Sequence, residues 1–473
     1  MPTPTSTLAA QWTERLTELM ERHQVPAASI GISQGGTSTV LTVGLADVPN
    51  EVPATGDTRF HIASIGKIFT ATLVMQLVDA RLVDLDAKVN AYVPRFRLAD
   101  GRHSAITVRQ LLNHTSGIPG DHVPDTGDGP DCLAKYVESL ADLSAEFEPG
   151  ALSSYSNAGM ILAGHLVEEV HGMTYDDALL TQIAKPLGLS SLASTPQDTP
   201  AGSVAPGHLA DETGTLVTVG PDTVPRAWTP AGGGMVASAR DVLAFVQMHL
   251  RGGLGPEGDR LLSVDAVDAM QRRTVDLLGV SPTREGVGLG WHLQEWPGAR
   301  VIEHSGQLPG HSSLLLVLPD HDVAVVTLTN GNGGGQLNRA LIAEILEATT
   351  GQRAPERVPS RYVGSDADVS TYIGHYRSAL AEFVVGTAGD GLHIELRSDI
   401  PAIAAMLGGS PTPRLNLVQI GEQTFAVEPD SPLAMLGDFT FVRASSGTAA
   451  DYLFAAGRVA RRTVNGSPKV NSR

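Results

Sequence analysis

Cysteine is almost missing: Cys132 is the single one in 473 residues, so no internal disulfide can form and nothing requires an oxidising compartment. Basic charge is also scarce. With a formal charge of -18 the chain lacks the cationic face that nucleic acid or an anionic membrane would demand of a main partner. No apolar run approaches the length of a membrane span. The opening Met1-Pro2-Thr3-Pro4-Thr5-Ser6-Thr7 has neither the basic start nor the apolar stretch of a secretory leader, which predicts a cytoplasmic protein. What is present is ordinary for a globular chain: 42% hydrophobic and 18% charged residues, with length enough for a catalytic unit and a smaller module.

Only five of the 33 basic residues are lysines, and one of them is oddly placed. Ser64-Ile65-Gly66-Lys67 opens a helix whose continuation, Ile68 to Val78, has no polar face wide enough for solvent. Lys67 therefore points into a core. Burying an ammonium is costly and lowers its pKa, so such a lysine can be neutral near pH 7 and take the proton of a neighbouring hydroxyl. At i and i+3, Ser64 and Lys67 share a helix face, and the helix N-terminus offers its positive end to an oxyanion. Arginine could not substitute, because it does not deprotonate in proteins.

An amphipathic helix with Leu8, Trp12, Leu16, Leu19 and Met20 on one stripe begins the chain. Strand-like runs 27–33 and 37–44 follow, joined through Gly35-Gly36, a hairpin signal. Beyond Ser64 comes mixed helix and loop to about residue 275, within which 121–131 reads as an acidic loop without periodicity, either a lid or, more simply, a solvated connection. Strands return at 287–293, 300–305, 313–318 and 323–329, then a helix at 336–349. One antiparallel sheet built from both chain ends, helices on its faces and an all-helical insert between, is the simplest α/β (α+β) assembly. Residues 351–369 read as a linker. After them come eight short strand-like runs between Tyr372 and Thr463, as in a small closed barrel or sandwich, and a disordered tail at 465–473.

Two further groups bear chemistry. Tyr155-Ser156-Asn157 precedes a helical stretch from Met160 to Val170. A phenol set between a buried amine and a serine can relay protons, and Asn157 has a donor and an acceptor to hold Lys67 and a substrate amide. His304-Ser305-Gly306-Gln307 ends a strand. Gly306 would let a ligand backbone approach, the Gln307 amide can join that of Ser64 in an oxyanion hole, and a neutral His304 can hydrogen-bond the tyrosine or a leaving group.

Together Ser64-x-x-Lys67, Tyr155-x-Asn157 and His304-x-Gly306 resemble the three active-site motifs of the serine β-lactamase and penicillin-binding-protein superfamily. Their order agrees, as do the surroundings: Phe60-His61-Ile62-Ala63, the segment from Leu111 to Pro119, and Gly232-Gly233-Gly234. The resemblance covers about residues 10 to 350. It implies an antiparallel sheet against a helical subdomain, Ser64 as acyl-enzyme nucleophile, and no metal or other cofactor. Members acting on penicillins or cell-wall peptides typically carry lysine where His304 stands, so anchoring of a free substrate carboxylate is weakened here.

Within the superfamily the chain resembles the penicillin-binding-protein-type thioesterases, stand-alone cyclases with a lipocalin-like C-terminal barrel. That resemblance implies a catalytic domain over 1–350 and a barrel over 370–464. It implies as partner a carrier protein presenting a peptide as a phosphopantetheine thioester, usually ending in a D-residue, with head-to-tail macrolactam as product. D-stereospecific peptidases, amidases and esterases are the alternative, and a non-catalytic ligand sensor is a third. Carrier proteins are usually acidic, so docking would need a local basic patch. Arg458, Arg461 and Arg462 are candidates for a cation facing the substrate.

Overall fold

The structure, a computed structural model, describes residues 4–211, 213–219, 224–279, 284–355, 362, 368–388, 391–398, 412, 414–427, 437–443 and 449–463. Most of the expected linker and the whole expected tail lie outside them.

A nine-stranded antiparallel sheet organises the first 350 residues. Its strands are β1 Ala27–Gln34, β2 Thr37–Asp47, β3 Val52–Pro53, β4 Val275–Asp276, β5 Arg284–Val287, β6 His292–Trp296, β7 Ala299–Leu308, β8 His311–Leu318 and β9 Val323–Thr329, in the order β3-β2-β1-β9-β8-β7-β6-β5-β4. Both chain ends do build it, through the pairing of β1 with β9. On one face lie α1 Pro4–His23 and α5 Gly334–Thr350, with Trp12, Leu16, Leu19 and Met20 packed against Leu337, Leu341 and Ile345. The side chain of Leu8 is outside the described set. On the other face lie α2 Gly66–Asp79, α3 Asn157–His171 and α4 Ala239–Leu250. The expected α+β class is thus the observed one.

The insert is not wholly helical. Phe60–His61 pairs with Val236–Ala237, and Gly207–Ala210 with Leu216–Val219. The expected strand over 287–293 is also broken. Gly290 adopts φ +80° and donates from its amide to Leu112, and a Cβ on Gly288 would lie 2.1 Å from the Met270 carbonyl. The backbone leaves the sheet there to pack beneath the helices, and alternation in sequence cannot register such contacts.

All eight C-terminal runs are strands: β10 Gly374–Arg377, β11 Glu382–Ala388, β12 Gly391–Arg397, β13 Leu415–Gln419, β14 Thr424–Val427, β15 Asp438–Val442, β16 Tyr452–Ala455 and β17 Arg458–Thr463. They close into a barrel by pairing β10 with β17, which removes the sheet edges. Its interior is filled by side chains such as Tyr372, Tyr376, Phe425 and Phe441. Phe454 and Val459 of the last hairpin pack on Phe147, joining the barrel to the helical region.

Candidate active site

Ser64 lies in a 3-10 turn, Ala63–Ile65, immediately ahead of α2. Ala63 holds φ +47°, a left-handed conformation that a non-glycine residue adopts only under constraint. Two glycines supply the constraint. A Cβ on Gly232 would sit 1.9 Å from the Ala63 carbonyl oxygen, and one on Gly306 would sit 2.5 Å from that of Ile62. The turn is wedged between a loop and a strand that both lack side chains at the contact.

Gly306 therefore serves the protein and not, as expected from sequence, the approach of a ligand backbone. Its missing Cβ makes room for Ile62, Ala63 and the Ser313 hydroxyl, which itself donates to the Ile62 carbonyl at 2.8 Å. Nor does the strand end there: β7 runs on to Leu308 and turns at Pro309-Gly310 into β8. We expect Gly306→Ala to lower unfolding stability by about 1–3 kcal/mol through overpacking against the turn, read from denaturant unfolding. A neutral change would show that the turn can yield.

Lys67 is fully buried on α2, with Nζ 3.0 Å from Ser64 Oγ and 2.6 Å from the Ala231 carbonyl oxygen. Burial, then the positive charge of Arg458, drive its pKa well below the usual lysine value, while Asp121 opposes them weakly. A neutral amine in this place donates one hydrogen to Ala231 and turns its lone pair to the serine hydroxyl. That arrangement activates a nucleophile without a histidine base.

Tyr155 closes the other side of the serine. Lys67 Nζ lies 4.7 Å from its ring centroid, and the Ser64 hydroxyl favours the phenolate form of Tyr155. Burial raises the phenol above its ordinary value, so it holds its proton at neutral pH and acts as a relay rather than as a free phenolate. Its ring is surrounded by imidazoles: His114 at 4.6 Å, His292 at 6.1 Å and His304 at 6.3 Å between centroids. Burial pushes all three down, His292 to about 4, so none carries charge at neutral pH. His304 Nδ1 lies 2.7 Å from the Ser305 carbonyl, to which it donates; Nε2 is then the lone-pair nitrogen, buried and without a hydrogen-bond partner among the described residues. The third motif thus presents no fixed positive charge.

Asn157 begins α3, whose N-cap Ser156 accepts from the Gly159 amide at 2.9 Å. Its amide donates to Asp121 at 2.9 Å, and it does not hold Lys67, contrary to the sequence expectation. Asp121 is the reason. This carboxylate, with a side chain 7% exposed, is not part of a solvated connection; it binds Asn157 and, through both oxygens, the Arg458 guanidinium. Arg458 stands at the start of β17, its guanidinium carbon 5.1 Å from the Tyr155 ring centroid, and the turn before it accepts the Tyr155 amide on the Gly457 carbonyl at 2.9 Å. Of the three arginines singled out, only Arg458 reaches the site. Arg462 is tied to barrel carbonyls at Thr371, Ala450 and Ile373, and Arg461 is exposed.

Gln307 is exposed on β7 beyond Glu303, the last residue that β7 pairs with β6, which leaves this stretch open on that side. Asp121, His114 and His292 went unassigned from sequence. His114 lay in a segment already noted, whereas Asp121 and His292 carry no local signal. Among the described residues no cluster of side chains could hold a metal ion, and no helix is long and apolar enough to cross a membrane.

Comparison with known proteins agrees with this geometry. Residues 12–350 match the Beta-lactamase family. Penicillin-binding protein 4 of Amycolatopsis lactamdurans is 36% identical over 371 residues, covering 78% of this chain and 97% of that protein. The crystal structure of SurE superposes with a TM-score of 0.79 at 26% identity, covering 97% of this chain and all of SurE; that of SurE with D-Leu gives 0.77. D-amino acid amidase from Ochrobactrum anthropi SV3, complexed with D-phenylalanine, gives 0.58 at 25% identity over 72% of this chain and 98% of the amidase. With its serine and tyrosine gathered about one buried lysine, the chain belongs to the Beta-lactamase family of serine hydrolases.

Proposed function

We propose that the protein takes a peptidyl thioester with a D-configured C-terminal residue onto Ser64 and releases the peptide as a head-to-tail macrolactam. The observation that carries this reading is that the likeness to SurE, seen also with D-Leu, runs through 97% of the chain and so includes the barrel. In this chain the barrel supplies the Arg458 and Gly457 contacts to Tyr155.

Lys67 accepts the Ser64 proton as Oγ attacks the thioester carbon, and the charge that grows on oxygen meets the amides of Ser64 and Gln307. Tyr155 returns that proton to the departing thiolate. The peptide's own amino group then attacks the ester, loses a proton to Tyr155 and Lys67, and Ser64 recovers its hydrogen. Neutral His304 orients the reacting groups without attracting a carboxylate. The partner in this reading is a carrier protein bearing the phosphopantetheine thioester. At -18 overall, the enzyme needs a local cationic patch to meet an acidic carrier, and exposed Arg461 on the barrel is a place to look.

A second reading, hydrolysis of D-peptides or amides by the same apparatus, is favoured by the likeness to D-amino acid amidase and by a 26% identity to Unguisins hydrolase ungD' of Aspergillus campestris over 68% of the chain. Mass analysis of the product from a peptidyl N-acetylcysteamine thioester ending in a D-residue separates them. Cyclisation gives a product lighter than the free acid by one water; free acid alone supports the hydrolase. Stable binding without turnover of this or any simple ester would leave only a ligand sensor.

A further inference from the structure

Among the described residues five basic side chains lie against the Tyr155 ring: Lys67, Arg458, His114, His292 and His304. Four of them are engaged elsewhere. Lys67 contacts Ser64 and the Ala231 carbonyl, and Arg458 is held by Asp121. His114 and His304 are each 3% exposed, the first accepting the Ser156 amide on Nδ1 at 3.3 Å, the second bound through Nδ1 to the Ser305 carbonyl. His292 differs from all four. It is half-buried, its ring stands 5.2 Å from that of His304, and it makes no hydrogen bond to any described residue.

The backbone fixes where His292 stands. Gly290, at φ +80°, ties its amide to the Leu112 carbonyl, and the Gly288 amide donates to the Trp291 carbonyl at 2.9 Å, so the chain enters β6 at a set point. His292 is the first residue of β6 and pairs with Glu303 of β7. Beyond that pair, from Ser305 to Leu308, β7 has β8 on one side and no strand on the other. The imidazole therefore stands where the sheet opens, next to the catalytic tyrosine.

An acyl group on Ser64 is released by a nucleophile that carries two hydrogens, whether a peptide's amine or water. As the new C–N or C–O bond forms and the C–Oγ bond breaks, one hydrogen leaves as a proton and passes by Tyr155 to Ser64 Oγ. The other needs an acceptor, because the nucleophile has left its water shell behind. Arg458 has no lone pair to offer, whereas a neutral imidazole has one. Burial, and then the charge of Lys67, hold His292 neutral at working pH. We propose that His292 receives the nucleophile that ends the acyl-enzyme: it accepts a hydrogen bond from the hydrogen that is not transferred and so aims the nucleophile's lone pair at the ester carbon. This inference rests on acylation of Ser64 but not on cyclisation, since amine and water are received alike.

The test separates the two half-reactions in His292→Phe, which keeps a ring against Tyr155 and His304 and removes both nitrogens. With p-nitrophenyl acetate the burst of nitrophenolate reads acylation of Ser64, and the steady rate that follows reads deacylation. Nitrophenolate departs with no hydrogen to be accepted. The burst rate should therefore change by less than about twofold while deacylation slows about tenfold, the effect of one lost hydrogen bond, and the acetyl-enzyme accumulates by intact mass. His292→Gln, whose amide oxygen can accept, should recover most of the loss. An equal fall in both phases, an unchanged steady rate, or a glutamine variant no better than phenylalanine overturns the proposal. A measurement on the unaltered enzyme keeps the question open to refutation if the variants do not fold. Methoxyamine, with two N–H bonds, should speed deacylation about tenfold more than N,O-dimethylhydroxylamine, with one, after correction for their rates on p-nitrophenyl acetate in solution; parity also overturns the proposal. Failure of the cyclase reading shows elsewhere, as free acid alone from the peptidyl thioester, and leaves these rates untouched.

Discussion

Replacing Lys67 with arginine should lower kcat/KM by at least about 10³-fold, nearly as far as Ser64→Ala, although the positive charge is retained. The two substitutions fail for different reasons. Ser64→Ala removes the atom that forms the ester, so the covalent mass adduct with a D-terminal peptidyl thioester disappears. Lys67→Arg keeps that atom and loses its base: the guanidinium stays protonated at every accessible pH, and it must fit a fully buried site whose amine already lies 2.6 Å from Ala231. Turnover and adduct formation are measured together. Substantial activity in Lys67→Arg would remove Lys67 from the role of base, and an adduct persisting in Ser64→Ala would falsify the nucleophile assignment.

Arg458→Gln should reduce kcat/KM near neutral pH by about 10²-fold and move the acid limb of its pH profile upward. Activity requires the neutral amine, so it rises with pH through the Lys67 pKa. Arg458 is the second cause of that pKa's depression after burial, and Asp121 opposes it. Removing the guanidinium takes away a lowering influence and leaves the Asp121 carboxylate unpaired beside the site, so the lysine holds its proton to higher pH. Asp121→Asn should act with the opposite sign and shift the limb downward. Breaking a largely buried pair also destabilises the fold, by about 3 kcal/mol when one partner is left behind, and a mere loss of stability would depress both profiles without moving them apart. Coincident limbs in the two variants would show that the pair positions Tyr155 mechanically and leaves Lys67 untouched.

How far the site could be read beforehand follows from the range of each interaction. Ser64 and Lys67 are separated by three positions on a helix whose apolar sequence already buried the amine, so both the meeting and its electrostatics were local. Tyr155 and His304 carried no such information singly; they became legible as a set, through spacing and order. The Asp121 to Arg458 pair spans 337 residues, and nothing near either end signals the other. An acidic stretch rich in glycine and proline reads as a surface loop because most such stretches are. Asp121 escapes that rule because a barrel turn arrives from the far end of the chain to cover it. Gly306 teaches the same point: its lack of a side chain was evident, but whether a ligand or the Ile62–Ala63 turn fills the space depends on the neighbour.

Sequence by itself determined what depends on short-range periodicity and chemistry: strands β1, β2 and β7 to β9 of the sheet and the strands of the barrel, the buried lysine next to a hydroxyl, and the absence of a disulfide framework. Tertiary structure alone decided which carboxylate answers which guanidinium, where the sheet breaks between Val287 and His292, and that the barrel reaches the catalytic tyrosine. The physical reason is that burial of one face follows from the pattern along a single element, whereas a contact across hundreds of residues is chosen by the packing of all the elements between.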